Sequence, residues 1–268
     1  MRNGFRWAVA LFEINGLEFY HTIIETGKLS TEFRGHFDPP PFNTVMHMHT
    51  SQDGLHLVNV SNAVVEYNNI ESEDSAIAIE YNARRSGYGF DRSENIRINN
   101  NYMRTKSPED AEELFNDDDV IYGSGLADEW TGQSGVDIFY NEWYDREGKE
   151  YMDGPEAPIR NIYIFQNAMD GVRYGVRAGF FIGAGSYHCN HYNHRIHNLH
   201  IYDHAESFLA GKDLNRKAGI KNVQKNTHSD SWNQSGGAGI AVRNADFVTV
   251  SGNEIMHVAG GLGISLVN

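Results

Sequence analysis

Cysteine is nearly missing from this chain. Cys189 stands alone among 268 residues, so no disulfide can close within it and the redox compartment is left open. Long apolar runs are missing too: no stretch approaches the ~18 residues of a membrane span. The opening residues, Met1-Arg2-Asn3-Gly4-Phe5-Arg6, lack the apolar centre of a signal peptide. Basic charge is scarce, 22 Lys and Arg against 36 Asp and Glu, for a net charge of −14. Without a basic face there is nothing to meet a phosphate backbone, which argues against nucleic acid as a partner. Helix-period segments are almost absent; the exception is a short candidate from Pro108 to Phe115, with Ser107 placed as its N-cap.

The negative charge is local. Between Ser107 and Glu156 there are 16 acidic residues and two basic ones, Arg146 and Lys149, which leaves the rest of the chain balanced at 20 of each. It therefore belongs to insertions over 104–158, not to the scaffold. Trp130, Trp143, Tyr140, Tyr144 and Tyr151 are interleaved there. Aromatic faces suit sugar rings, which makes Trp130, Trp143 and Tyr144 candidate substrate contacts. The run Asp117-Asp118-Asp119 makes calcium the one cofactor left open, since hard cations want several oxygens. No calcium-binding repeat is present, and a solvated acidic loop is the plainer reading.

What the chain does have is repetition. From Asp53 the sequence reads Asp53-Gly54-Leu55-His56-Leu57, and after further alternating pieces it restarts at Ala76-Ile77-Ala78-Ile79, with Leu55 and Ile77 22 residues apart. Alternating apolar residues mark strands, and a fixed period of this size marks a stacked coil. A second motif, two apolar residues flanking one position and then an asparagine, recurs at Ala63/Val65/Asn68, Ile96/Ile98/Asn101, Ile162/Ile164/Asn167 and Val248/Val250/Asn253. Weaker copies carry Thr22 and His204. Asparagine suits a tight turn because its side chain bonds nearby backbone and tolerates left-handed φ. In a coil these residues should stack as a buried amide ladder.

The predicted fold is a right-handed single-stranded parallel β-helix of seven to eight coils with long loop insertions, one domain over 1–268. The segments 55–57, 77–79, 136–138, 180–182, 240–242 and 262–264 are expected side by side in one parallel sheet. Residues 205–238 resist placement. Both ends of the sequence fall within strands and no polar cap is visible, so a segment of a longer solenoid, or capping by an oligomeric partner, is expected.

On these residues the chain resembles the right-handed parallel β-helix (pectate-lyase-like) superfamily. One coil resembles the polygalacturonase family, whose Asn-Thr-Asp-Gly and Gly-Asp-Asp-Cys-Ile-Ala-Ile motifs match Ser51-Gln52-Asp53-Gly54 and Glu73-Asp74-Ser75-Ala76-Ile77-Ala78-Ile79. Ser75 stands where that family has a third aspartate, and no Gly-His-Gly or Arg-x-Lys follows. The resemblance implies that Asp53 and Asp74 act as acid and base on a glycosidic bond, and that the protein is secreted, extracellular or periplasmic.

Geometry adds its own expectation: carboxylates on neighbouring strands would push each other's pKa values apart. His56, between Leu55 and Leu57, is expected outward beside Asp53, with Ala10, Ala78, Asp137, Phe181 and Ala241 as its neighbours along a shallow groove. Asp137 and His49 are further candidate substrate contacts. No basic residue is expected on that face, which favours hydrolysis over β-elimination. The series His188, His191, His194, His197 and His200 suggests a metal only by its spacing, and surface histidines are the favoured reading. The expected function is cleavage of a polysaccharide by a carboxylate pair. The alternatives are a non-catalytic glycan-binding β-helix, an adhesin or phage tailspike segment, or a polysaccharide lyase or epimerase.

Overall fold

The computed structural model describes residues 7–26, 53–72, 75–82, 91–105, 134–141, 157–172, 174–182, 196–203, 205–208, 238–256 and 262–267. Their regular structure is entirely β-strand, arranged in three parallel sheets. Sheet one consists of β1 (Trp7–Phe12), β4 (Asp53–Val58), β7 (Ile77–Asn82), β10 (Ser134–Asn141), β13 (Tyr174–Ile182), β16 (Ala238–Arg243) and β19 (Leu262–Val267), in that order. Sheet two stacks β2 (Asn15–Tyr20), β5 (Ser61–Glu66), β8 (Ser93–Asn99), β11 (Ile159–Phe165), β14 (Ile196–Tyr202) and β17 (Ala245–Ser251). Sheet three stacks β3 (Ile23–Glu25), β6 (Asn69–Ser72), β9 (Tyr102–Thr105), β12 (Ala168–Val172), β15 (Ala205–Phe208) and β18 (Glu254–Met256). Each turn of the chain adds one strand to each sheet, in parallel with its counterpart one turn on. The described residues form a parallel β-helix of six full turns and the first strand of a seventh.

Alternation explains the core. Leu55, Ile77, Val136, Val176 and Ile240 sit in register along sheet one and are fully buried. Ala63, Ile96, Ile162 and Leu199 do the same on sheet two. β-Branched side chains fit a pleated, buried face, and each such side chain contributes about 1.5–3 kcal/mol by burial.

The corner between sheets two and three carries the asparagine ladder. Asn68, Asn101 and Asn167 are buried, and each follows a residue with left-handed φ: Tyr67 (55°), Asn100 (55°) and Gln166 (54°). The Nδ2 of Asn68 donates to Oδ1 of Asn101 at 2.9 Å, and that of Asn101 to Oδ1 of Asn167 at 3.0 Å. Each amide also caps a strand one turn earlier: Asn101 donates to the Val65 carbonyl at 2.9 Å and Asn253 to that of Ile201 at 3.2 Å. His204 lies outside the described residues. Replacing Asn101 by Leu strips bonds from buried backbone, and should cost about 1–3 kcal/mol in urea unfolding; an unchanged midpoint would mean the ladder carries no load.

A second, exposed ladder, absent from the recurring turn motif, runs along the start of sheet two. Asn62, Asn95, Asn161 and Asn198 each bond the asparagine one turn earlier at 2.7–2.9 Å, beginning from Asn15. All four have φ between 54° and 61°. A left-handed residue inside every strand explains the asparagines, which take that conformation at little cost.

Two registers differ from expectation. Val136 pairs with Val176, four residues before the expected Phe180; further along, β13 carries a one-residue bulge at Gly179, where φ is +81°. A Cβ there would collide with the Arg243 carbonyl oxygen, so only glycine fits. Ile240 pairs with Ile264, two residues beyond the Leu262 that a strict 22-residue period selects. Of 205–238, only β15 and the first residue of β16 are described. The candidate helix from Pro108 to Phe115 and the acidic run fall outside the described residues.

Candidate functional site

On the outward face of sheet one, the strand starts build a polar cluster. Gly54 makes this happen: a Cβ there would collide with Ile70 Cγ2 and the Ala76 carbonyl, so the position faces the core. Leu55 faces it as well. Two consecutive inward positions bring Asp53 and His56 out on the same side, three residues apart. The same device recurs at Gly135, where a Cβ would collide with Met169, and it places Ser134 and Asp137 likewise. The outcome is two rows, Asp53–Ser75–Ser134–Tyr174 and His56–Ala78–Asp137–Arg177.

His56 joins two carboxylates. Its Nδ1 lies 2.6 Å from Asp53 Oδ2 and its Nε2 2.7 Å from Glu80 Oε2. The other oxygen of Asp53 accepts the Ser75 backbone N–H at 3.2 Å, and Asn82 donates to Glu80 Oε1 at 2.9 Å. Phe139 stands edge-on to the imidazole at 5.8 Å. Ser75 Oγ lies 3.5 Å from Asp137 Oδ2. Arg177 grips Asp137 through Nε, 3.1 Å from Oδ1, and through Nη2 on Oδ2. The guanidinium also lies over the Tyr174 ring, 5.5 Å from its centre. The Ser134 hydroxyl is buried in the same row and has no hydrogen-bond partner.

The charges explain the protonation. Burial works against a charged His56, but the hydrogen bonds and charges of Asp53 and Glu80 outweigh it and raise its pKa to about 10. Burial raises the Asp53 carboxyl, and nearby Asp137 adds to the rise, while His56 and the Ser75 N–H pull against it. The two groups move up for different reasons: burial penalises the charged form of Asp53, whereas the two carboxylates favour the charged form of His56.

The cluster gathers Asp53, His56 and Asp137, and adds Glu80, Ser75 and Arg177, which sequence reasoning left out. Glu80 was legible as the outward residue after Ala78 in the Ile77/Ile79 alternation. Arg177 was hidden by the register expected for β13, which put Phe181 in its place; Phe181 instead pairs with Tyr140. A basic residue therefore does stand on this face, contrary to expectation. All of these side chains but Arg177 are also buried, His56 to 3% exposure and Asp137 to 1%, where a shallow open groove was expected. Asp74, His49, Trp130, Trp143 and Tyr144 lie outside the described residues. His200 stacks on Tyr163 at 4.9 Å, and no cluster of His, Cys, Asp or Glu among the described residues is arranged to hold a metal ion. No helix among them is long and apolar enough to cross a membrane.

Fold and cluster together define a parallel β-helix with a buried carboxylate–imidazole network on its longest sheet. No family model matches the chain, and no curated protein matches it.

Proposed function

We propose that this β-helix cleaves a polysaccharide by hydrolysis of a glycosidic bond. The observation that carries the reading is the Asp53–His56–Glu80 bridge, which holds two carboxylates at opposite ends of one imidazole. That places them roughly 6–8 Å apart, in the range that inverting hydrolysis uses. The proton for the leaving oxygen comes from His56 Nδ1 through Asp53, and Glu80 takes the proton of the attacking water. Glu80 then gives its proton to solvent and His56 Nδ1 takes one up, restoring the starting state. Hydrolysis remains preferred to β-elimination on new ground: a guanidinium clamped on Asp137 stays protonated and cannot act as base.

A second reading, glycan binding without cleavage, is favoured by the burial of the cluster and by the pairing of both His56 nitrogens. Reducing-end release from a panel of polysaccharides separates the two. Hydrolysis requires release by the native protein, no ultraviolet-absorbing unsaturated ends, and a loss of about 10²-fold or more in Asp53→Asn. Retention of a polymer in affinity electrophoresis without release supports the binder; neither result would sink both.

A further inference from the structure

We propose that Phe247 marks a second glycan contact, on sheet two, where a sugar ring stacks on its exposed aromatic face. The inference rests on the reading that this chain handles a polysaccharide. Along the exposed ladder, the left-handed position is filled in successive turns by Gly16, Asn62, Asn95, Asn161 and Asn198, residues that take it at little cost. The next turn places Phe247 there, with φ 54°. A bulky side chain in that conformation is an outlier, and the amide ladder stops beside it. Phe247 is also 74% exposed, the most exposed large apolar side chain among the described residues. A residue that strains the backbone and wets an aromatic ring opposes folding twice, the pattern expected where a sequence serves binding instead.

The surroundings indicate the ligand. Phe247 stands edge-on to His197 at 5.1 Å, and the buried Nδ1 of His197 has no hydrogen-bond partner. His197 is in register with Arg160 on one side and Asp246 on the other, and Arg160 is ion-paired to Glu94. One aromatic face among carboxylate, imidazole and amide groups matches a sugar, with its apolar C–H face and rim of hydroxyls. A protein hot spot would sit instead within a dry apolar surround.

Two readouts test this. Phe247→Asn, which restores the residue type of the ladder, should raise the melting temperature by about 2–4 °C. The same variant should weaken retention of the best polysaccharide of the panel about tenfold, while its cleavage of an oligosaccharide too short to span from sheet one to sheet two is unchanged. If the native protein neither binds nor cleaves any glycan, the functional reading fails and takes this one with it. If the native protein binds and Phe247→Asn binds equally well, this inference alone is overturned; a lower melting temperature would overturn the strain argument on which it stands.

Discussion

Arg177→Met should be among the most damaging single substitutions in the chain, lowering unfolding free energy by about 3–5 kcal/mol. Asp137 is 1% exposed, and Arg177 contacts both of its oxygens. Methionine keeps most of the volume and removes the charge, leaving a carboxylate in low dielectric with Ser75 Oγ at 3.5 Å. The loss exceeds what the pair itself contributes, because most of it is the penalty of an uncompensated buried charge. The double variant Arg177→Met/Asp137→Asn should therefore recover a good part of the stability. Urea unfolding of the three proteins checks this. A loss below about 1 kcal/mol for Arg177→Met would show that the pair is solvated like a surface ion pair.

The second large effect is on pH dependence. The folded pKa of His56, about 10, lies above its ordinary 6.5, so the folded state holds a proton that the unfolded chain releases. Its stabilisation is fully present below pH 6.5 and is lost as pH rises through the folded value. Asp53 acts in the same sense: its folded pKa is above 3.8, so it too favours the fold on the acid side. Across the His56 window the slope should be about 1.4 kcal/mol per pH unit. Other groups titrate in this range, so the informative quantity is the difference between the native protein and His56→Gln. That difference should shrink as pH rises from neutral toward 10. A constant difference would mean that His56 is neutral in the fold.

The fold was legible because a coil repeats its instructions. Leu55 and Ile77, Asn68 and Asn101, are the same structural position read twice, and each copy strengthens the other. Legibility failed where periodicity permits two answers. In β13, Val176/Ala178 and Phe180/Ile182 alternate equally well, and only the pairing of Val136 with Val176 decides between them. In β19, Leu262/Ile264 and Ile264/Leu266 compete in the same way. The exposed ladder was not legible because its asparagines sit before the alternating apolar pairs, inside strands, where alternation carries no turn signal.

The site was half legible. Asp53, His56 and Asp137 stood out as polar residues on strand positions. Their contacts depend on Gly54 and Gly135 turning consecutive positions inward, which alternation alone does not reveal. One consequence concerns Asp53→Asn. The amide oxygen can still accept the Ser75 N–H, but the charge on which His56 relies is gone. Some loss of stability is therefore expected to accompany any loss of turnover.

The central claim is that one buried imidazolium bridges the carboxylates of Asp53 and Glu80, and it can be read directly. In a ¹⁵N-labelled sample, the ring nitrogens of His56 should both carry protons at pH 8, with imidazolium shifts and slow solvent exchange. Titration should leave them so until the pH nears 10, and Glu80→Gln should bring the transition down. A ring that titrates near 6.5, with one bare nitrogen at pH 8, would contradict the bridge and the proton path built on it.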